Sequence, residues 1–263
     1  MGTFVERYAK LYETLGFPHL VSGGNLFTFV NPYTLAPWGP AKWCFMLELA
    51  AAAELLSSSK ARMLRCTGGF AANTCDQWYA VIADRFTSLD QMKAKGRSEI
   101  NRGLRNCQVR RIDSDYVADH AYEVYAAAVK SYPNFPERVR TREEFSRHAR
   151  ANRDFEDIGH YWGVFEGSTS RLIAYALNHV FDKVEVSYAS IKIHPDYLGL
   201  YPSYALLHTM NEFYLSQQSF EYVNDGWRSV FHDTQIQHFL IRKFAFRREP
   251  SSLKIFYRGG CRR

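Results

Sequence analysis

Apolar positions in the second half of the chain keep a regular rhythm. Val117, Ala121, Val124, Tyr125 and Ala128 recur at the spacing of a helix with one face in a core, which predicts a helix over 116–131 ended by Pro133 and Pro136. A more polar helix follows over 142–153. Strand-like runs come next at 161–166, 172–179 and 184–193, and the turns at Gly167–Ser170 and Phe181–Lys183 predict antiparallel hairpins. In the third run Val184, Val186 and Tyr188 share one face, whereas Ile191 and Ile193 have the opposite parity. Such a change of phase predicts a β-bulge, which bends a strand and frees backbone groups from its ladder. A strand buried on both faces would give the same pattern. Leu206, Leu207, Met210 and Phe213 then mark a helix over 203–217. A strand at 221–224, a helix over 234–244 opened by a Thr234/Gln237 capping box, and a strand at 253–257 complete the pattern. From residue 107 the order reads β-α-α-β-β-β-α-β-α-β.

The first half is less periodic. A short helix ends at Gly16 before Pro18, and the Pro and Gly content of 27–39 predicts an extended, loop-rich piece. Residues 43–57 read as a helix, with Glu48 and Glu54 excluding a membrane span, and 77–86 as a strand. A basic helix runs from Ser88 to about Asn106 with Ile100 and Leu104 as its apolar stripe, and 107–112 reads as a strand.

Composition narrows the function class. At 46% hydrophobic and 16% aromatic residues, the chain of 263 residues can bury a large core, which excludes a disordered class. The N-terminus lacks the basic-then-apolar order of a signal peptide, and Glu6 and Arg7 occupy the place where a myristoylation motif needs Ser or Thr, so a cytoplasmic protein is expected. Cys44, Cys66, Cys75, Cys107 and Cys261 are scattered without a C-x-x-C pair, so neither a zinc site nor a disulfide framework is indicated. His179, His194 and His238 share no metal-ligand spacing with an acid, and no metal is expected. The net charge of +6 gathers in patches. Lys93, Lys95, Arg97, Arg102, Arg105, Arg110 and Arg111 stand against Glu99 alone, and Arg242, Lys243, Arg247 and Arg248 form a second group. Patches of this kind attract phosphates, nucleotides or RNA, or else form a solvated face.

Three strings add a resemblance. Arg97–Arg111 resembles the basic helix-and-strand segment of FemABX-type aminoacyltransferases, and Tyr222–Gly226 and Phe239–Phe246 resemble that group's closing strand–helix–strand section. The element order, with a bulged strand feeding a loop and helix, looks like the GNAT (Gcn5-related N-acyltransferase) fold from which those enzymes are built. The resemblance covers roughly residues 78–257. It implies an α+β, three-layer fold: a mixed, mostly antiparallel central sheet flanked by helices, with a bulged and splayed central strand. It also implies a domain over 78–263, with 1–77 as a degenerate GNAT-like half packed on the rest.

The resemblance further implies N-acyl transfer, from acyl-CoA or aminoacyl-tRNA, to an amine of a small molecule, sugar or peptide. Alternatives are a non-catalytic RNA-binding module and an acetyl-CoA-dependent amino-sugar acetyltransferase of polysaccharide synthesis. GNAT enzymes hold the CoA pyrophosphate on backbone N–H groups of a loop reading Arg/Gln-x-x-Gly-x-Gly/Ala. The matching stretch here is Asp196–Ser203, in which Gly199 fits, Asp196 and Tyr201 depart, and Leu200 and Ser203 complete the candidate cradle. Departure from the CoA loop favours an aminoacyl-tRNA donor, for which FemABX enzymes lack that loop.

Transfer to an amine needs a base, an oxyanion site and relief of the leaving group's charge. A bulged strand can offer free N–H groups, which nominates the backbone of Ile191 and Ile193. Asp225, next to Gly226 at a strand end, is a base candidate and equally a turn former. His232 is a second candidate, or a local contact at a helix start, and Glu185 on the bulged strand is a third. Arg228, Arg242 and Lys243 are the cation candidates. The resemblance places Lys243 at the tRNA terminus, and the plain alternative is a solvated pair at a helix C-terminus.

Overall fold

The computed structural model of the protein describes residues 4–70, 78–132, 138–229 and 235–259. In chain order the elements are α1 (Phe4–Leu15), β1 (His19–Ser22), β2 (Asn25–Asn31), β3 (Thr34–Trp38), α2 (Leu49–Ser58), β4 (Met63–Phe70) and β5 (Tyr79–Ala83). Next come α3 (Ala94–Asn106), β6 (Cys107–Ile112), α4 (Ser114–His120), α5 (Tyr122–Lys130), α6 (Arg142–Arg150), β7 (Gly159–Glu166), β8 (Leu172–Phe181) and β9 (Glu185–Ile193). The chain closes with α7 (Pro202–Asn211), β10 (Tyr222–Trp227), α8 (Gln235–Phe244) and β11 (Arg247–Tyr257).

These elements form two compact units. One comprises 1–81, 227–232 and 248–263, and the other 82–226 and 233–247. The division therefore differs from a single break after residue 77: the last strand belongs almost wholly to the first unit, because β11 pairs antiparallel with β4 from Ser251 to Tyr257.

In the first unit β1, β2 and β3 form an antiparallel meander, and β4 joins β3 in parallel. The stretch expected to be loop-rich is thus the β2–β3 hairpin. Asn31 closes it, its Oδ1 accepting from the N–H groups of Tyr33 and Thr34 at 2.9 Å each, an Asx turn. Val5, Tyr8 and Leu11 form the buried stripe of α1, and Gly16 ends that helix at φ 69°, in the left-handed region glycine tolerates. The helix expected from residue 43 begins only at Leu49. Residues before it are extended, since the Phe45 N–H donates to Thr67 O at 2.8 Å and Cys44 bridges Gly68. Gly69 permits this approach: a Cβ there would lie 2.5 Å from Lys42 O. The other side of β4 packs Leu64 and Cys66 with Phe27, Leu35, Leu55 and Phe256.

In the second unit β6, β7, β8 and β9 are antiparallel neighbours, and β10 joins β9 in parallel. This is the mixed, mostly antiparallel sheet flanked by helices that the sequence led us to expect. Ala121 divides the expected 116–131 helix into α4 and α5, its ψ of −3° opening the turn while both halves keep Val117, Val124 and Tyr125 in one core. Leu177 pairs with Ser190 and Asn178 with Tyr188, so Ala189 is the extra residue of a β-bulge at the predicted phase change. Helix α7 continues into a π-helical turn over Glu212–Gln217. The start of the expected 234–244 helix, with its Thr234 capping box, lies outside the described residues.

Candidate active site

Two strands that pair and then part define the site. Tyr222, Val223 and Asn224 of β10 pair with Glu185, Val186 and Ser187 of β9, and among the described residues the ladder stops there. Beyond it β9 bulges at Ala189 and stays with β8 as far as Ile193. The strands are splayed, as expected.

The bulge decides which amides face the gap. His194 N–H donates to Ile173 O at 2.9 Å, and Ile193 stands opposite Ala174. Antiparallel ladders alternate between pairs that exchange hydrogen bonds and pairs that do not. Ile191 and Ile193 are therefore in the non-exchanging pairs, and their N–H groups turn away from β8 toward the side that β10 has left. These are the two residues nominated for an oxyanion site.

Asp225 is the first β10 residue past the ladder. It is half-buried, and among the described residues no hydrogen bond or ion pair reaches its carboxylate. Burial alone pushes its pKa up to about 7. Removal from water without compensating donors favours the neutral acid. Gly226 follows at φ 101°, and its N–H donates to Asn224 Oδ1 at 2.7 Å, so the turn-forming hydrogen bond comes from Asn224.

Tyr188, across the fork on β9, was passed over in the sequence because it reads as one more apolar strand position. Its OH donates to Asn211 Oδ1 at 2.6 Å. Burial raises its pKa well above the ordinary phenol value, and the charges of Tyr214 and Asp225 add to the rise.

Glu185 lies at the closed end. It is 2% exposed, and its carboxylate accepts from Tyr222 OH at 2.5 Å and Asn224 Nδ2 at 2.9 Å. Those bonds tie β9 to β10 where they pair, away from the gap. His232 lies outside the described residues.

Each cation has its own setting. Lys243 is tied to Glu99 of α3, Nζ to Oε2 at 2.5 Å, and stands over the Tyr204 ring at 5.9 Å. It is not a solvated end of α8. Arg242 is exposed and lines a cleft of about 690 Å³ together with Lys93, Lys95, Glu99, Tyr204 and Lys243. Arg228 falls in the first unit, exposed, with its N–H on Tyr79 O at 2.8 Å.

In the loop from His194 to Ser203 several N–H groups are already engaged. Asp196, Tyr197, Tyr201 and Tyr204 N–H groups already donate to His194 Nδ1, His194 O, Leu198 O and Tyr201 O. Pro195 and Pro202 have none to give, and the Asp196 side chain is 81% exposed. Gly199 lies in open space, Leu200 O accepts from Cys107 Sγ at 3.6 Å, and Tyr201 is left-handed at φ 63° with Arg102 over its ring at 4.7 Å. Ser203 sits in the first turn of α7. Gly103 presses α3 onto that turn: a Cβ would lie 2.6 Å from Tyr201 O.

No family model and no curated protein matches the sequence. Solved structures do match. FemX superposes with a TM-score of 0.58 at 11% identity, over 94% of this chain and 88% of that one. The C-terminal domain (DUF2156) assigned to a lysylphosphatidylglycerol synthetase from Agrobacterium fabrum gives 0.60 at 12%, over 94% and 86%. A tandem GNAT protein from the clavulanic acid biosynthesis pathway gives 0.50 at 11%, over 92% and 82%. The chain has a FemX-like GNAT fold. At these identities the likeness concerns the backbone, and roles for side chains rest on the geometry above. Among the described residues no helix is long and apolar enough to cross a membrane.

Proposed function

We propose that the chain is an N-acyltransferase in which Asp225 is the base. The observation that carries this reading is a carboxylate tuned by burial to about 7, placed where β10 leaves β9. A base is most effective with a pKa near the working pH. The neutral amine of the acceptor attacks the carbonyl carbon of the donor, and its nitrogen passes a proton to Asp225 as the carbon–nitrogen bond forms. The developing oxyanion is met by the N–H groups of Ile191 and Ile193. When the carbon–oxygen bond of the donor ester breaks, the leaving oxygen takes the proton held by Asp225, so no net proton is gained or lost on the enzyme.

The donor we favour is an aminoacyl ester of tRNA. In support, four N–H groups of the α7 loop are already engaged, and Lys93, Lys95, Arg97, Arg102 and Arg105 of the α3 segment are all exposed. A cationic face suits a phosphate backbone. Residues 1–77, on this reading, are a degenerate GNAT-like half. The likeness to a tandem GNAT protein favours a second donor, an acyl-CoA, and one assay separates the two. Purified protein is incubated with charged tRNA or acetyl-CoA across a panel of amines, and loss of ester or thioester is followed. Ester loss that depends on an amine and disappears in Asp225→Asn supports the reading. Transfer from acetyl-CoA alone rejects the favoured donor, and no turnover of either rejects the enzyme. Reversing the charge of Arg97, Arg102 and Arg105 should weaken tRNA binding and flatten its salt dependence, with unchanged affinity rejecting the role of α3.

A further inference from the structure

Arg65 is a half-buried cation with no countercharge among the described residues. It lies on β4 in the first unit, opposite Ile255 of β11. Its Nε is sealed from solvent and has no hydrogen-bond partner among the described residues. No carboxylate there forms an ion pair with it, and burial alone lowers its pKa. The contact it makes is with the ring of Trp78, 5.4 Å from the guanidinium carbon to the centroid. Trp78 is 6% exposed, and its Nε1 is a second sealed donor without a partner among the described residues. The Trp78 ring stacks on Trp227 of the same unit at 5.7 Å and 16°, which holds the indole in place.

Arg111 in the second unit supplies a control within the molecule. It too has a sealed, unpartnered Nε and lies over a tryptophan, Trp162, at 5.9 Å. There the charges of Tyr214 and Glu156 favour the cation. Arg65 has no equivalent among the described residues.

A desolvated charge left alone is costly, and unpaired buried donors are rare in folded proteins. Two sealed donors on residues in contact, neither with an acceptor among the described residues, call for an acceptor from outside. A neutral one would satisfy hydrogen bonds and leave the charge. An anion answers both needs, and the guanidinium fork matches a carboxylate or phosphate. Ile255 and Leu253 stand opposite Arg65 and Thr67, and Leu253, at 36% exposed, gives the edge of this cluster to solvent. We propose that Arg65 and Trp78 form an anion-recognition site for a small carboxylate or phosphate, with Leu253 and Ile255 against the ligand's apolar part. This site is independent of the proposed transfer reaction.

The test titrates full-length protein with inorganic phosphate and, separately, with benzoate, at constant ionic strength in chloride. Tryptophan fluorescence and melting temperature are the readouts. The wild type should respond saturably to at least one anion, and which one saturates decides between phosphate and carboxylate chemistry. Arg65→Met should abolish the response while melting no lower than the ligand-free wild type, because it removes an uncompensated charge. Trp78→Phe, which keeps a ring but not the N–H, should weaken binding by about 3- to 10-fold, the worth of one hydrogen bond. A wild type silent to both anions overturns the proposal, as does an Arg65→Met variant that binds as well as wild type. Asp76 lies outside the described residues, close before Trp78 in sequence. If Asp76→Asn binds an anion and wild type does not, the countercharge is internal and the proposal fails.

Discussion

Glu185 and Asp225 are carboxylates on adjacent strands, and the fold treats them in opposite ways. Glu185 sits where β9 and β10 are paired and is held by two donors. Asp225 sits just past the last pair, largely removed from water, with no donor among the described residues and a pKa of about 7. The difference comes from hydrogen bonding: the deeper carboxylate has donors, and the half-buried one has none among the described residues. Donors aimed at a carboxylate fix it as structure, and their absence leaves a proton in play at neutral pH.

The largest expected effect of breaking this contrast is on chemistry. Asp225→Asn should lower the rate of transfer by about 10²- to 10⁴-fold, the range of general base catalysis. The same variant should be more stable than wild type above neutral pH, which separates lost chemistry from lost fold. The sign follows from linkage. The folded pKa of about 7 lies above that of an unfolded aspartate, about 3.9. Between those values the native state keeps a proton that the unfolded state has released. Stability contributed by this group is therefore full below about pH 4 and lost as pH rises toward 7, at roughly 1.4 kcal/mol per pH unit. Urea titrations at several pH values should show that slope in wild type and its disappearance in Asp225→Asn.

Glu185→Ala should do the reverse. Leaving Tyr222 OH and Asn224 Nδ2 unsatisfied should cost about 2–5 kcal/mol by denaturant unfolding. Transfer by the folded fraction should keep the wild-type pH profile. A smaller effect is expected from Gly103→Ala, whose Cβ would press on Tyr201 O at 2.6 Å. About 1–3 kcal/mol of stability should be lost, with tRNA affinity falling if α3 is displaced from α7.

Much of the second unit was legible in the sequence because its signals are local. The opposite parities of Val186 and Ile191 announced the bulge at Ala189, and the turns at Gly167 and Phe181 announced the hairpins. The same parity pointed to the amides of Ile191 and Ile193. Partners distant in the chain left no such mark. Nothing near Lys243 reveals that Glu99 neutralises it across 144 positions. Glu185 reads as a free acid until Tyr222 and Asn224 are seen on it. The first unit is the least legible, since its hairpin turn depends on the side chain of Asn31, and α2 begins late because residues 44 and 45 bond to β4.

The most direct test is a carbon-13 NMR titration of the Asp225 carboxyl, assigned by its absence in Asp225→Asn. The account predicts a midpoint near pH 7 in the ligand-free protein. A midpoint near 4, the value of an aspartate in water, would contradict it and remove the base from the proposed reaction.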